Sequence, residues 1–395
     1  MLLGDPGAAD AVMRQAPAAH VDRHGGFVAL TRYDDVVAAA RAADEYSSRS
    51  VSIPARRDRF TPITLDGTEH AVARAVLAPF FSPRQVKARE LQIQSTTNAL
   101  LDRLAPRGEA DISVELTRVV PTVTLLQLIG VPAADIDRVA GWTDTLIFDE
   151  HATAESGGAA ARALQRYLYD LVGARSITAG LTDPTDSTDL SDLIDGLLAH
   201  RAGRQAVDID DAVNMVTTLL FGGLGPTTFL MNGALHRIAT DPDLPRRLLA
   251  DPDLRRRLLA DPDLLTTATE EFLRLVSPVA SIGRVAAGAD HPLGSDVCPG
   301  DQVLLVWAAA NRDDDQFADA ESFVADRTPN RHLAFGAGVH RCLGTHLARL
   351  QFRIVVAAVL RRLPDDAVSD QAAVGRLTGH MGGIHRLPVQ FTPTN

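Results

Sequence analysis

The sequence has few cysteines, since Cys298 and Cys342 are the only two in 395 residues. Two cysteines so far apart do not build a disulfide framework, so a reducing cytosol is the expected compartment. The N-terminal segment carries Asp5, Asp10 and Arg14 and lacks the continuous apolar core of a signal peptide. No apolar run approaches the roughly 20 residues that a membrane helix needs. We therefore expect a cytoplasmic protein that makes no contact with a membrane.

The sequence is also poor in aromatic residues and in positive charge. Aromatic residues make up 5% of the chain, and the formal net charge is −11. These values argue against a base-stacking platform and against a general nucleic-acid surface. A hydrophobic content of 46% with 23% charged residues is ordinary for a globular protein with a large core. The length by itself would permit two or three domains.

One glycine-rich stretch contains the second cysteine. It runs His332-Leu-Ala-Phe-Gly-Ala-Gly-Val-His-Arg-Cys-Leu-Gly344, and a helical pattern follows from Thr345 to Leu363. A cysteine just before a helix lies where backbone N–H groups and the helix dipole stabilise a thiolate. Such a sulfur is either a nucleophile or a metal ligand. The alternative without chemistry is a buried cysteine in a glycine-rich turn.

This stretch resembles the haem-ligating loop of the cytochrome P450 family. The pattern F-G-x-G-x-H-x-C-x-G is matched at every fixed position, by Phe335, Gly336, Gly338, His340, Cys342 and Gly344. The resemblance implies a mainly α protein with small β-sheets, the cytochrome P450 fold, in a single haem-thiolate domain over residues 1–395. It also implies haem b (iron protoporphyrin IX), with Cys342 as the iron ligand and the loop as part of the cofactor site.

Two further segments fit contacts to the haem propionates. His70 and Arg74 are one helical turn apart and project from one face, which by itself is typical of a solvated helix. The family has an H-x-x-x-R at the corresponding place, whose side chains bind a propionate. Arg284, at the start of a predicted strand, resembles the second propionate-binding arginine.

A glutamate and an arginine share one face of a later helix. Glu271 and Arg274 form an E-x-x-R pattern, which any helix can carry by chance. In the family, these residues and Arg327 correspond to a buried ion network that supports the loop beneath the haem. We interpret the three as a structural device rather than as catalytic acid–base groups.

A long apolar helix is predicted over Asp208–Thr240, with an unusual centre. Three glycines and Pro226 interrupt it, at a cost of roughly 1 kcal/mol for each glycine and about 3 kcal/mol for the proline relative to alanine. Because Pro226 has no N–H to donate to Gly222, we expect a kink or an opening there. The alternative is a break between two shorter helices.

The resemblance makes this helix the one that crosses the distal face of the haem. The family pattern (A/G)-G-x-(D/E)-T supplies an acid and an alcohol that relay protons. Here Gly225 stands at the acid position and Pro226 at the alcohol position. A shift of one residue would place Thr227 at the alcohol position. The candidate catalytic residues are therefore Gly225, Pro226, Thr227 and Thr228.

The function implied is oxidation of a small apolar, terpenoid- or polyketide-like substrate by a monomeric monooxygenase. It would use dioxygen and two electrons from a ferredoxin, which a ferredoxin reductase supplies. One alternative is a peroxide-driven or otherwise atypical oxidase, because the acid–alcohol pair is missing; another is a haem-binding sensor without turnover. A basic docking patch is predicted at Arg341, Arg349 and Arg353, unless these are ordinary solvated residues.

Several apolar residues are candidates to line the substrate pocket by their position, although each is as easily explained as core: Leu224, Val279, Ile282, Met381 and Ile384. The tail over Met381–Phe391 is predicted to form a hairpin whose tip reaches the pocket. Residues 178–191 are predicted to be a loop or lid. Repeated Asp-Pro-Asp-Leu units over residues 241–264 predict capped helix starts.

Overall fold

The computed structural model describes residues 18–56, 58–179, 192–201, 207–240, 254–287, 297–363 and 366–394. The predicted lid at residues 178–191 falls almost wholly outside these ranges, and so do the first two Asp-Pro units. The third unit is described. The side chain of Asp261 accepts hydrogen bonds from the backbone N–H groups of Asp263 and Leu264, with Pro262 in the first helical turn. This confirms the predicted capped start for that unit.

Helices dominate the described residues. In chain order they are α1 (Tyr33–Arg41), α2 (Gly67–Leu77), α3 (Pro83–Ala88), α4 (Glu90–Leu104), α5 (Val119–Ile129), α6 (Ile136–Ile147), α7 (Ala154–Ala179), α8 (Leu193–Arg201), α9 (Ile209–Thr240), α10 (Leu254–Ala260), α11 (Pro262–Val276), α12 (Trp307–Ala310) and α13 (Thr345–Arg362). Short 3₁₀ turns lie at Arg23–Gly25, Ala78–Phe81, Ala133–Asp135, Gly338–His340 and Gln371–Ala373, and a π-helical turn lies at Ser113–Thr117.

The strands form three small sheets. They are β1 (Ala18–Val21), β2 (Phe27–Leu30), β3 (Tyr46–Ser47), β4 (Glu109–Asp111), β5 (Ile282–Ala286), β6 (Gln302–Leu305), β7 (Ala367–Val368), β8 (Gly375–Leu377), β9 (Gly383–Arg386) and β10 (Pro388–Gln390). The largest sheet has the order β1-β2-β6-β5-β3, the second has the order β4-β10-β7, and the third pairs β8 with β9. β2 and β6 are parallel, and the other pairs are antiparallel. The predicted mainly α class with small sheets is confirmed.

The central helix α9 is continuous through Pro226, so the alternative of two shorter helices is wrong. It packs against α5, α7, α11 and α13. By length and composition it could also span a membrane, contrary to the expectation of no such run, but 61% of its most apolar window is buried inside the protein. Its apolar surface is thus largely explained by the core.

The tail departs from the predicted hairpin. β9 pairs with the preceding strand β8, whereas β10 pairs with β4 and β7. The hairpin therefore spans Gly375–Arg386, and its turn contains His380 and Met381. An isolated bridge joins Met381 to Val279. The turn of this hairpin reaches the central cavity, since His380 and Met381 both line it, whereas no residue of 382–391, where the predicted tip would lie, does so.

Candidate active site

A cavity of about 390 Å³ lies between α9 and the cysteine loop. Apolar side chains from α2, α5, α9, β5 and the turn between β8 and β9 line most of it. The titratable side chains in its lining are His70, Arg74, Arg284, His340, Cys342 and His380. Five of these six are residues that the sequence singles out.

The backbone of the cysteine loop depends on a close contact with α1. A Cβ atom at Gly338 would lie 2.2 Å from the carbonyl oxygen of Ala40, and the φ angle of Gly338 is +70°. Only glycine is compatible with that approach and that conformation. The N–H of Cys342 donates to the carbonyl of Phe335 at 2.8 Å, which closes the loop. The loop thus holds the cysteine at the cavity wall, just before α13.

The surroundings of Cys342 favour a metal ligand over a free nucleophile. Its exposed surface faces the cavity, while protein surrounds the rest of the side chain. Burial raises the pKa of the Cys342 thiol, although a hydrogen bond from the Gly344 N–H and the charges of Arg74 and Arg341 act in the opposite direction. The stabilisation of a free thiolate by the backbone N–H and the nearby positive charges is therefore smaller than the destabilisation that burial causes. Coordination to a metal would remove the proton, as it does for ligating thiols.

Two histidine rings lie together at the cavity wall. The centroids of His70 and His340 are 4.0 Å apart, and the Nε2 atom of each ring is buried without a hydrogen-bond partner among the described residues. Burial lowers the pKa of His340 to about 3, with help from the charge of Arg284. The 3.8 Å contact between His340 Nε2 and Asp66 is therefore not an ion pair at neutral pH. Both rings retain unused hydrogen-bonding capacity.

Two arginines complete this side of the cavity. Arg284 is only 5% exposed, and its one hydrogen bond among the described residues goes from Nη1 to the carbonyl of Gly283 at 2.8 Å. Burial lowers its pKa to about 10. Arg74 donates from Nη2 to the carbonyl of Arg341 at 2.5 Å. A buried guanidinium with unused donors calls for an anionic partner.

A buried ion network lies behind the loop. Both side chains of the pair Glu271 and Arg274 are 0% exposed, and two parallel hydrogen bonds of 2.8 Å join them. Arg327 Nε lies 3.1 Å from both Glu271 oxygens, and Asn330 Nδ2 donates to the same carboxylate at 3.0 Å. Burial alone would raise the pKa of Glu271, but the bonds from Arg274 lower it. The structure brings the three predicted residues together.

A second ion cluster was missed in the sequence. Arg349 donates to Glu270 from Nε at 2.7 Å and from Nη2 at 2.5 Å, and His332 Nε2 lies 3.0 Å from the same carboxylate. The Arg349 guanidinium also lies 4.6 Å from the ring centroid of Phe335. Burial would raise the pKa of Glu270, but its two partners lower it to about 2. Arg349 is thus engaged in the interior, which corrects its place in the predicted docking patch.

Two threonines of α9 line the cavity, Thr218 and, next to Pro226, Thr227. The Oγ1 of Thr227 donates to the carbonyl of Gly223 at 2.9 Å. Thr228 points elsewhere, because its Oγ1 donates to the carbonyl of Thr117 at 3.3 Å. Pro226 also lines the cavity and leaves the carbonyl of Gly222 without its helical donor. Of the two candidate alcohols, Thr227 alone borders the cavity.

Comparison with known proteins decides the family. The family model described as Cytochrome P450 matches residues 162–381. A steroid C26-monooxygenase of Mycobacterium tuberculosis is 30% identical over 377 residues, which cover 94% of this chain and 96% of the relative. The chain belongs to the cytochrome P450 family. A mycinamicin IV hydroxylase/epoxidase of Micromonospora griseorubida is 32% identical over 346 residues, covering 85% of this chain and 81% of that enzyme.

Solved structures agree with this fold. A P450 of Bacillus megaterium in complex with corticosterone matches with a TM-score of 0.83 and 26% identity, covering 98% of both chains. A variant of the mixed-function P450 MycG in complex with mycinamicin V matches with a TM-score of 0.83 and 27% identity, covering 98% of this chain and 96% of the other. The chain is an oxidoreductase of the P450 monooxygenase class.

The P450 family implies a haem cofactor, and the residues present fit one. Among the described residues, no group of three or more His, Cys, Asp or Glu side chains could hold a metal ion by itself. A lone cysteine is therefore suited to an iron whose other ligands come from a macrocycle. The unused donors of His70, His340 and Arg284 are suited to the carboxylates of such a macrocycle.

The pocket of this P450 differs in part from the predicted one. Val279, Ile282 and Met381 line the cavity. Leu224 and Ile384 instead belong to the hydrophobic core, with 1% and 3% exposure, and neither lines the cavity. His380, which the sequence did not single out, does line it. The one feature of the sequence that could have indicated His380 as a lining residue is its position next to Met381, which was already a candidate.

The structure explains why glycine stands at the acid position of the P450 pattern. A Cβ atom at Gly225 would lie 3.3 Å from Ile147 Cγ2 and 3.4 Å from the Sδ and Cε atoms of Met381. A side chain at this position would therefore require a residue of α6 or a residue of the hairpin turn to shift. Gly225 is buried and does not itself line the cavity.

Replacement of Gly225 by aspartate is therefore expected to destabilise the protein rather than restore an acid. We expect a loss of about 1–3 kcal/mol in the free energy of unfolding, from overpacking and an unpaired buried carboxyl group. Denaturant titration measures it. Gly141→Asp is the control, because Gly141 is exposed on α6 and a Cβ atom there would have open space within 4 Å. Equal losses in the two variants would contradict the packing explanation.

Proposed function

We propose that this P450 oxidises a small apolar, terpenoid- or polyketide-like substrate with dioxygen and two electrons from a ferredoxin, reduced in turn by a ferredoxin reductase. The observation that carries the proposal is the cavity itself, which has a single cysteine at one wall, two threonines of α9 (Thr218 and Thr227) and otherwise mainly apolar side chains. We further propose one domain over residues 1–395, a monomeric state and a cytoplasmic location.

The cofactor proposed is haem b. Cys342 would ligate its iron, Phe335, Gly336 and Gly344 would border it, and the propionates would be held by His70, Arg74, Arg284 and His340. When bound, the haem with its thiolate ligand supplies the oxygen-activating chemistry. The chain's own contribution is to anchor the carboxylates, exclude water and orient the substrate. The Glu271 network would keep the loop in place, since its carboxylate joins α11 to the segment around Val324 and Arg327.

Proton delivery is assigned to Thr227. Its hydroxyl borders the cavity and donates its proton to the Gly223 carbonyl. In this orientation the oxygen can accept a hydrogen bond from water, and the hydroxyl turns away from the carbonyl to donate a proton into the cavity. The carbonyl of Gly222, which lacks a donor at Pro226, can hold a water molecule beside it. These groups would stand in for the missing acid–alcohol pair of Gly225 and Pro226.

The substrate class is supported by the lining and by the relatives. The side chains beside the hairpin turn and β5 are apolar at Val279, Ile282 and Met381. The relatives named above act on a steroid and on mycinamicin IV, as their names state. An apolar lining of this kind favours substrates that bury hydrocarbon surface. It leaves few polar groups to set the orientation of the substrate.

Electron delivery is proposed to occur on the side of the cysteine loop. Arg341 is exposed, Arg353 is partly exposed, and Val339 of the cysteine loop is 54% exposed. A basic rim around an apolar centre suits an acidic ferredoxin. The revised patch is formed by Arg341 and Arg353, without Arg349.

The deciding experiment compares two electron sources. Turnover of a steroid and terpenoid panel is measured with ferredoxin, reductase and dioxygen in one arm and with hydrogen peroxide in the other. Product in the ferredoxin arm supports the proposal. Product only in the peroxide arm would mean that the enzyme is peroxide-driven, and the proposed ferredoxin-dependent reaction would be rejected.

The assignment of Thr227 predicts a change in coupling, the fraction of electrons recovered in product. Thr227→Val is expected to lower coupling about tenfold, with more hydrogen peroxide released, because the cavity loses the hydroxyl next to Pro226. Thr228→Val is expected to change coupling less than about twofold, since that hydroxyl is bonded to Thr117. Product and peroxide are quantified per NADH consumed. A larger effect at Thr228 would move the proton route away from Thr227.

A further inference from the structure

One titratable side chain of the cavity has no task in the proposed chemistry. His70, Arg74, Arg284 and His340 are assigned to the propionates, and Cys342 to the iron. His380 lines the same cavity but comes from a separate element, the turn between β8 and β9. Among the described residues, its ring makes no hydrogen bond or ion pair. The residue is exposed, and an imidazole that borders a mainly apolar cavity has a hydrogen-bonding capacity that a ligand can use.

The backbone holds His380 firmly in position. Its carbonyl accepts hydrogen bonds from the N–H groups of Ala280 at 2.8 Å and of Ser281 at 3.2 Å. The next residue, Met381, bridges to Val279 and packs against Gly225. At the far end of the turn, a Cβ atom at Gly383 would lie 2.7 Å from Phe229 Cβ, so the hairpin is seated directly on α9. A side chain on so constrained a turn is preorganised.

We propose that His380 is a specificity-determining residue that binds a hydroxyl group of the substrate. This deepens the proposed function and rests on it. The substrate class is then an apolar molecule that carries an alcohol away from its oxidised carbon. The hydroxyl would lie at the hairpin side of the cavity and the hydrocarbon portion over the wall formed by Val279 and Ile282.

A hydroxyl matches the ring better than a carboxylate does. Burial lowers the pKa of His380, so the ring is neutral at pH 7 and has one N–H donor and one nitrogen acceptor. An alcohol can accept from the first or donate to the second. A carboxylate would require the protonated ring, which burial disfavours. Steroids, terpenoid alcohols and hydroxylated polyketides all carry such a group.

The test is a binding experiment in the ferric holoenzyme, without electrons or turnover. Dissociation constants come from ligand-induced shifts in the haem spectrum. The probes are matched pairs: corticosterone with progesterone, testosterone with its methyl ether, farnesol with its methyl ether, and dodecanol with its methyl ether. The variants are His380→Leu, which removes hydrogen bonding, and His380→Gln, which keeps it. Met381→Leu alters the shape of the same turn and serves as the matched control.

The expected result is a preference of about tenfold for the alcohol in at least one pair, the magnitude of one neutral hydrogen bond. His380→Leu should abolish the preference, His380→Gln should retain part of it, and Met381→Leu should change both members of a pair alike. A preference that persists in His380→Leu overturns the proposal. So does the absence of any alcohol preference in the wild-type protein, whether or not the probes bind. Because no product is measured, failure here is distinct from failure of the proposed monooxygenase reaction.

Discussion

Replacement of Glu271 by glutamine is expected to lower the free energy of unfolding by about 3–5 kcal/mol. The Arg274 guanidinium is fully buried, and this carboxylate is its only anionic partner among the described residues. The carbonyls of Asn311, Ala320 and Ser322 also accept from Arg274, but they carry no charge to neutralise it. Removal of the negative charge therefore leaves an uncompensated buried cation. Guanidinium chloride titration of the holoprotein measures the loss.

The adjacent glutamate provides a matched control. In Glu270→Gln the affected partners are Arg349 and His332, and the carboxylate side chain is 24% exposed, so solvent can compensate part of the loss. We expect about 1–3 kcal/mol. A loss at Glu270 equal to or larger than that at Glu271 would contradict the importance assigned to full burial.

The Glu270 comparison also has a defined pH dependence. The pKa of this carboxyl is lowered from 4.5 to about 2 in the folded protein. Its contribution to stability is therefore fully present above pH 4.5 and is lost as the pH falls towards 2. The stability difference between wild type and Glu270→Gln should shrink as the pH falls from 4.5 towards 2.

Replacement of Cys342 by serine is expected to abolish monooxygenase turnover, by about 100-fold or more, and to remove the red-shifted absorbance of the reduced carbon-monoxide adduct. The physical reason is that a serine hydroxyl donates far less electron density to iron than a thiolate does. Difference spectra and product formation measure the two effects. His70, Arg74 and Arg284 would still hold any bound haem through its propionates.

The second cysteine is the control for that experiment. Cys298 is exposed in the turn before β6, where its N–H donates to Asp301 Oδ2 at 2.8 Å. Cys298→Ser is expected to leave the absorbance and the turnover unchanged. An unchanged red-shifted absorbance in Cys342→Ser would mean that another residue ligates the iron, and the haem assignment would have to be revised.

Short-range patterns predicted much of this site. The hydrogen bond from the Cys342 N–H to the Phe335 carbonyl joins residues close in sequence, so the motif carries part of its own geometry, while the contact of Gly338 with Ala40 comes from the fold. Local geometry also explains the pair Glu271 and Arg274, which one helical turn brings together. The continuous helix α9 and the third Asp-Pro cap also follow from local chemistry, namely apolar periodicity and a side-chain cap.

Other features depended on distant parts of the chain. The pairing of Glu270 with Arg349 joins residues on α11 and α13. Because of this pairing, Arg349 does not belong to the surface docking patch that the sequence predicted. Leu224 and Ile384 carry side chains of the same type as the residues that line the cavity. Only the rotation of α9 and the register of β9 place them in the core.

The sequence by itself determined the ligand loop, the family resemblance and the absence of the acid–alcohol pair, because these are properties of consecutive residues. Only the tertiary structure decided what occupies the space beside Gly225 and which side chains line the cavity. Ile147 and Met381 meet at Gly225 from two separate elements, and His380 reaches the cavity because its turn is seated on α9. Such contacts arise from packing between segments far apart in the chain, and no local periodicity encodes them.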